Sequence, residues 1–139
     1  MQKSKVFYID GSSTGLYGFY DPETNQMNIF EDYPCTNNQG EWLALYSLVL
    51  TLPEYWSGVV YSDSQLIVNQ FNGNYKIKNL ELKRIHDLVK TVCSEKNLKL
   101  ELKWVPREQN IAGKKIEKEL AHRKVKVWEH ERIQAFNKD

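Results

Sequence analysis

The residues of this sequence best suited to chemistry are three acids at comparable places, Asp10, Glu41 and Asp63. Asp10 ends the run Lys5-Val-Phe-Tyr-Ile-Asp10-Gly-Ser, whose four apolar residues read as a short strand buried on both faces. A carboxylate at the end of a buried strand is costly unless something neutralises it. One Asp-Gly after a strand does not choose between a basic partner and a metal ion. Glu41 lies one turn ahead of the helical stripe Leu45, Leu48, Val49 and Leu52, so an acid emerges where the core opens to solvent. Asp63 follows a second apolar run, Val59-Val60-Tyr61, and opens another helical pattern. Its ordinary role is a helix N-cap, a job that Ser62 and Ser64 also suit. Carboxylates brought close together in low dielectric repel strongly, and a divalent cation removes that penalty. All-oxygen ligands favour Mg²⁺ or Mn²⁺. No Cys/His set suits structural zinc, and His86, His122 and His130 fall on predicted helices as solvated or packed residues.

The elements that must position these acids follow from periodicity and punctuation. After the first strand, segments 16–20 and 26–30 read as two strands joined by a turn at 21–25, giving an antiparallel meander. Thr36-Asn37-Asn38-Gln39-Gly40 is a polar loop with helix-start character, and 41–52 has the helical period up to Pro53. A short helix follows Asp63 and breaks at Asn72-Gly73-Asn74. Leu82, Ile85, Leu88, Val89 and Val92 predict an amphipathic helix over 79–94, with Lys83, Arg84, His86 and Lys90 on its opposite face. Leu98-Lys-Leu-Glu-Leu-Lys-Trp104 alternates as a half-buried strand, stopped by Pro106. From Lys114 onward there is neither Gly nor Pro, so a last helix runs close to the end. The expected class is α/β, a mixed sheet with helices packed on it, and sites in such sheets gather at the carboxyl ends of strands.

At 139 residues the chain reads as a single domain, 1–139, with 122–139 a helical extension. Its 41% apolar and 27% charged residues are the profile of a soluble globular protein, and a net charge of +1 excludes a histone-like basic binder but not a local basic patch. The amino terminus leads into too few apolar residues for a signal peptide, and no run approaches the roughly 20 needed to span a bilayer. Cys35 and Cys93 belong to no Cys-x-x-Cys pair and read as free thiols in a reducing cytoplasm.

In register along the chain stand Tyr-Ile-Asp10-Gly-Ser, Asn37-Asn-Gln-Gly-Glu41-Trp-Leu-Ala-Leu, Tyr-Ser-Asp63-Ser-Gln-Leu-Ile-Val-Asn and Trp104-Val-Pro-Arg-Glu-Gln-Asn110. With these pieces the sequence resembles ribonuclease H of type 1 over roughly residues 4–121. The resemblance implies a five-stranded sheet with a central first strand and antiparallel first three strands. It implies Mg²⁺- or Mn²⁺-dependent hydrolysis of the RNA strand of RNA–DNA hybrids, with Asp10, Glu41 and Asp63 as catalytic metal ligands. It further implies that Asn37, Asn38 and Gln39 face the minor groove, where 2′-hydroxyls mark RNA. Lys76, Lys78, Lys83 and Arg84 are candidates for holding the DNA backbone, beside the plainer reading of a solvated face.

The match breaks most sharply at one point. The family carries a fourth acid in the pattern Asn-x-x-Ala-Asp-x-Leu-Ala, and Lys114 stands at that acid's position. Glu117, one turn later, is a candidate substitute, with a surface glutamate as the alternative. Otherwise the Lys114 ammonium contacts phosphate in a slower enzyme, or the fold persists as a duplex-binding module without cleavage. The turn after Asp10 is short, and 72–78 is too short for the basic handle that some members carry. Val125, Val127 and Trp128 would pack back on the domain or pair with another chain, and the sequence leaves the oligomeric state open.

Overall fold

The computed structural model describes residues 4–136, with side chains through Arg123. Strands β1 (Val6–Gly11), β2 (Leu16–Asp21), β3 (Gln26–Glu31), β4 (Ser57–Ser62) and β5 (Lys99–Trp104) form one mixed sheet in the order β3-β2-β1-β4-β5. The first three are the antiparallel meander the turn residues predicted, while β4 runs parallel to both β1 and β5. The helices are α1 (Asn37–Thr51), α2 (Gln65–Phe71), α3 (Leu80–Lys96) and α4 (Ile111–Phe136), with a 3₁₀ turn at Arg107–Gln109. The architecture is α/β, a five-stranded mixed sheet with β1 at its centre, as the resemblance implied.

The core lies between one sheet face and α1 to α3. Phe7, Ile9 and Val60 from the strands meet Trp42, Leu45, Leu48 and Val89 from the helices, all at most 2% exposed. α4 packs on β1 and β2 from the other side, through buried Ala112 and Ile116. That cover is partial: Phe7 and Ile9 are buried, whereas Val6 and Tyr8 are only half-buried. The expectation of a strand buried on both faces therefore holds for one face.

α1 begins earlier than the stripe at Glu41 suggested, and residues 37–40 form its first turn rather than a loop. The cause is a reciprocal cap: Thr36 Oγ1 accepts from Gln39 N at 3.1 Å while Gln39 Oε1 accepts from Thr36 N at 3.0 Å. At the other end of α1, the Lys96 ammonium donates to the carbonyls of Val49, Leu50 and Leu52 at 3.0, 2.7 and 2.9 Å. These carbonyls have no helical partner, so α3 and α1 are tied at their carboxyl ends.

α4 continues as helix to Phe136, in line with the long last helix read from the sequence. The side chains of Val125, Val127, Trp128 and His130, and residues 137–139, lie outside the described part. Among the described residues no helix is long and apolar enough to cross a membrane, and Cys35 and Cys93 are free.

Candidate active site

Two glycines bring the first two acids together. A Cβ on Gly11 would lie 2.1 Å from the carbonyl carbon of Gly40, and one on Gly40 would lie 2.7 Å from Ser12 O. Only backbones without side chains approach so closely, and the contact seats the first turn of α1 on the end of β1. Asp10 and Glu41, each adjacent to one of these glycines, are thereby neighbours. β4 supplies the third acid from the other flank of β1, since Asp63 follows directly on its last residue. Asp63 is not the cap of α2: Ser64 Oγ accepts from Ile67 N at 3.3 Å, and Ser62 Oγ accepts from Ser64 N at 3.1 Å. The two serines leave the Asp63 carboxylate free for other work.

One carboxylate oxygen from each of Asp10, Glu41 and Asp63 lies within 4.8 Å of the other two. Asp10 is 3% and Glu41 6% exposed, and Asp10 Oδ1 and Glu41 Oε2 are buried without a hydrogen-bond partner. Burial, then the charge of Asp63, pushes the Asp10 carboxyl up to about 6. Burial, then Asp10, holds Glu41 well above the usual carboxylate range. Asp63 is better satisfied. Its Oδ2 accepts from Asn110 Nδ2 at 2.9 Å and lies 3.8 Å from Arg107 Nη1. The same Asn110 Nδ2 donates to Ile9 O at 2.9 Å, and its Oδ1 accepts from Ala112 N at 3.1 Å. Fully buried, Asn110 joins β1, Asp63 and the start of α4 in one side chain.

This donor set fits a hard divalent cation. Two unpaired buried oxygens and a third carboxylate at coordinating separation are what such an ion needs, and protonation is the alternative where none is bound.

An open cleft of ≈ 370 Å³ lies over the three acids. Asn37 and Asn38 line it, and Asn37 Oδ1 accepts from Ser13 N at 3.1 Å. Gln39 stands apart, its carbonyl spent in the cap of α1. Lys76, Lys78, Lys83 and Arg84 are exposed along α3 and the turn before it, outside the cleft, and Lys83 pairs with Asp87 at 3.7 Å. Lys114 is exposed and does not line the cleft. The residue of α4 turned to the acids is Gly113, where a Cβ would lie 3.4 Å from Asp10 Oδ2 and 3.6 Å from Asp63 Oδ2. Glu117 does line the cleft, and Arg107 Nη2 donates to its Oε1 at 2.7 Å.

Sequence reasoning gave no role to Arg107, Asn110 or Gly113 beyond their place in a motif. The available signal was Asn110 as a good N-cap just before a helix; nothing local marks an arginine on a loop as facing three acids.

Comparison with known proteins agrees with this architecture. A family model described as reverse transcriptase-like matches residues 36–118, a span that holds Glu41, Asp63 and Asn110. The N-terminal ribonuclease H domain of a Mycobacterium tuberculosis protein, solved as a fusion with maltose-binding protein, superposes with a TM-score of 0.64 at 23% identity, covering 79% of this chain and 92% of that one. LC11 ribonuclease H1, isolated from compost by a metagenomic approach and solved in complex with an RNA/DNA hybrid, gives 0.63 at 26% identity over 76% of this chain and 88% of that one. Ribonuclease H1 of the halophilic archaeon Halobacterium salinarum gives a TM-score of 0.60 at 20% identity, covering 76% and 87%. The family match and these superpositions agree: the chain belongs to the reverse transcriptase-like family and has the ribonuclease H-like fold.

Proposed function

We propose that this chain hydrolyses the RNA strand of RNA–DNA hybrids at a site built on Asp10, Glu41 and Asp63, with Mg²⁺ or Mn²⁺ as cofactor. The observation that carries the reading is the convergence of three carboxylates in one cleft, two of them with buried oxygens that nothing in the protein satisfies. Bound there, a divalent ion supplies Lewis acidity toward a phosphodiester and makes water a better nucleophile. The chain's own residues hold and aim. Asn110 fixes the Asp63 carboxylate, and the glycine contact fixes Asp10 against Glu41. At the mouth of the cleft the Arg107 guanidinium offers a planar fork that suits a phosphate of the bound strand. Asn37 and Asn38 present amides that can bond a ribose 2′-hydroxyl, which DNA lacks. Lys76, Lys78, Lys83 and Arg84 would take the DNA backbone further along the duplex, and a relative of the same fold is known in complex with such a hybrid. In this reading residues 1–139 act as one unit, with 122–139 a helical extension.

The test is cleavage of a labelled hybrid in Mg²⁺ and in Mn²⁺. Wild type cleaves, and Asp10→Asn lowers the rate about a hundredfold or more. A folded wild type that leaves the hybrid intact at every metal concentration refutes the reading. The exposed Lys114 at the family's fourth-acid position, and Arg107 close to Asp63, favour a second one: a module that binds duplexes without cutting them. It predicts salt-sensitive hybrid binding with no turnover.

A further inference from the structure

The family's fourth acid is missing, yet a fourth carboxylate is present in the cleft. Where α4 passes the site, Gly113 leaves the helix without a side chain, 3.4 and 3.6 Å from the positions of Asp10 Oδ2 and Asp63 Oδ2 as measured from an added Cβ. Glu117 stands one turn further on the same helix face. Helical side chains lean toward the amino end of their helix, so the surface above Gly113 belongs to the residue one turn later. Glu117 lines the same cleft as Asp10, Glu41 and Asp63. Its charge reaches Asp10 and adds to the forces that raise that carboxyl's pKa.

What holds Glu117 now is Arg107, 2.7 Å away, whose other terminal nitrogen lies 3.8 Å from Asp63. An arginine between two carboxylates does electrostatically what a cation would do there. The pair is open to solvent, Arg107 being 62% and Glu117 58% exposed, so it is weak and exchangeable. A phosphate entering the cleft competes for the same guanidinium, with better matched bidentate geometry. Meanwhile Asp10 Oδ1 and Glu41 Oε2 point to a ligand the protein itself does not supply.

We propose that Glu117 is the fourth carboxylate of this site, filling from one turn along the helix the role that Lys114 does not fill. Arg107 holds Glu117 in reserve and exchanges it for substrate phosphate. The assignment rests on the cation site formed by Asp10, Glu41 and Asp63, the acids at coordinating separation among the described residues; Glu117 would join Asp10 in holding a second ion once Arg107 releases it.

Calorimetric titration of the full metal-free chain with MnCl₂ tests it, run alone and with a hybrid whose RNA strand is 2′-O-methylated and cannot be cleaved. Wild type with the duplex is expected to take up two ions. Glu117→Gln keeps the tighter one and binds the second about tenfold more weakly, or not at all. In the absence of duplex, Arg107→Gln strengthens the second site severalfold by removing its internal competitor. Lys114→Ala leaves Mn²⁺ uptake unchanged. Circular dichroism and melting of each variant separate a lost ligand from a lost fold. The proposal is overturned if folded Glu117→Gln takes up two ions as wild type does, or if wild type with duplex binds only one. Wild type that takes up no Mn²⁺ in either condition sinks the three-carboxylate reading as well, which distinguishes the two failures.

Discussion

Asp10 is held in a state that costs the metal-free protein stability. Its carboxyl titrates at about 6 rather than 3.8 because burial and then Asp63 oppose its charge. An acid whose pKa rises on folding binds its proton more tightly in the folded state, so stability falls as pH rises through that interval. At about 1.4 kcal/mol per unit, a rise from 3.8 to about 6 is a loss of about 3 kcal/mol once the carboxyl is ionised, most of it falling between pH 4 and 7. Glu41, shifted the same way, extends the loss to higher pH. Denaturant unfolding in chelator should therefore show stability declining across this window, and Asp10→Asn should flatten the decline and gain up to about 3 kcal/mol at pH 7. Added Mn²⁺ should restore wild type and leave the variant nearly unmoved, since an ion that binds only the folded form stabilises it. A wild type that grows more stable from pH 4 to 7 without metal would contradict the assigned charge state.

At the level of elements, the site depends on contacts that carry no charge. Gly11→Ala would drive a methyl group into the Gly40 carbonyl, and should cost about 3 kcal/mol while parting Asp10 from Glu41. Both the urea midpoint and Mn²⁺ affinity should drop; a silent substitution would mean that β1 and α1 do not touch. Lys96→Met removes the ammonium that caps α1 and should cost about 1–2 kcal/mol without altering Mn²⁺ binding, because that end of α1 is remote from Glu41. The meander, the strand β5 (though not its parallel direction) and the places of the three acids were legible in the sequence because each rests on local periodicity or punctuation. Residues 37–40 were not, since a capping box can overrule the loop signal of a polar run. Asn110 and Arg107 were legible only as motif letters. Their work is done across more than forty residues of chain, on Asp63, and local pattern does not carry such pairings.

Across the whole molecule, a net charge of +1 conceals a division of labour: acids gathered in the cleft, Lys76, Lys78, Lys83 and Arg84 exposed outside it. If those cations hold the backbone, replacing Lys83 and Arg84 with Gln should reduce the slope of log affinity against log salt by about 1–2. Filter binding to a hybrid at several salt concentrations measures this, and an unchanged slope would return both residues to the solvated face. The turn between α2 and α3 has an exposed tip at 73–76, where Gly73 adopts φ 82° and an added Cβ would meet nothing within 4 Å. No residue of that tip lines the acidic cleft. Segments can thus be grafted there without disturbing the three acids, so that, under the proposed function, duplex grip and bond breaking become properties that selection, or a protein engineer, can tune one at a time.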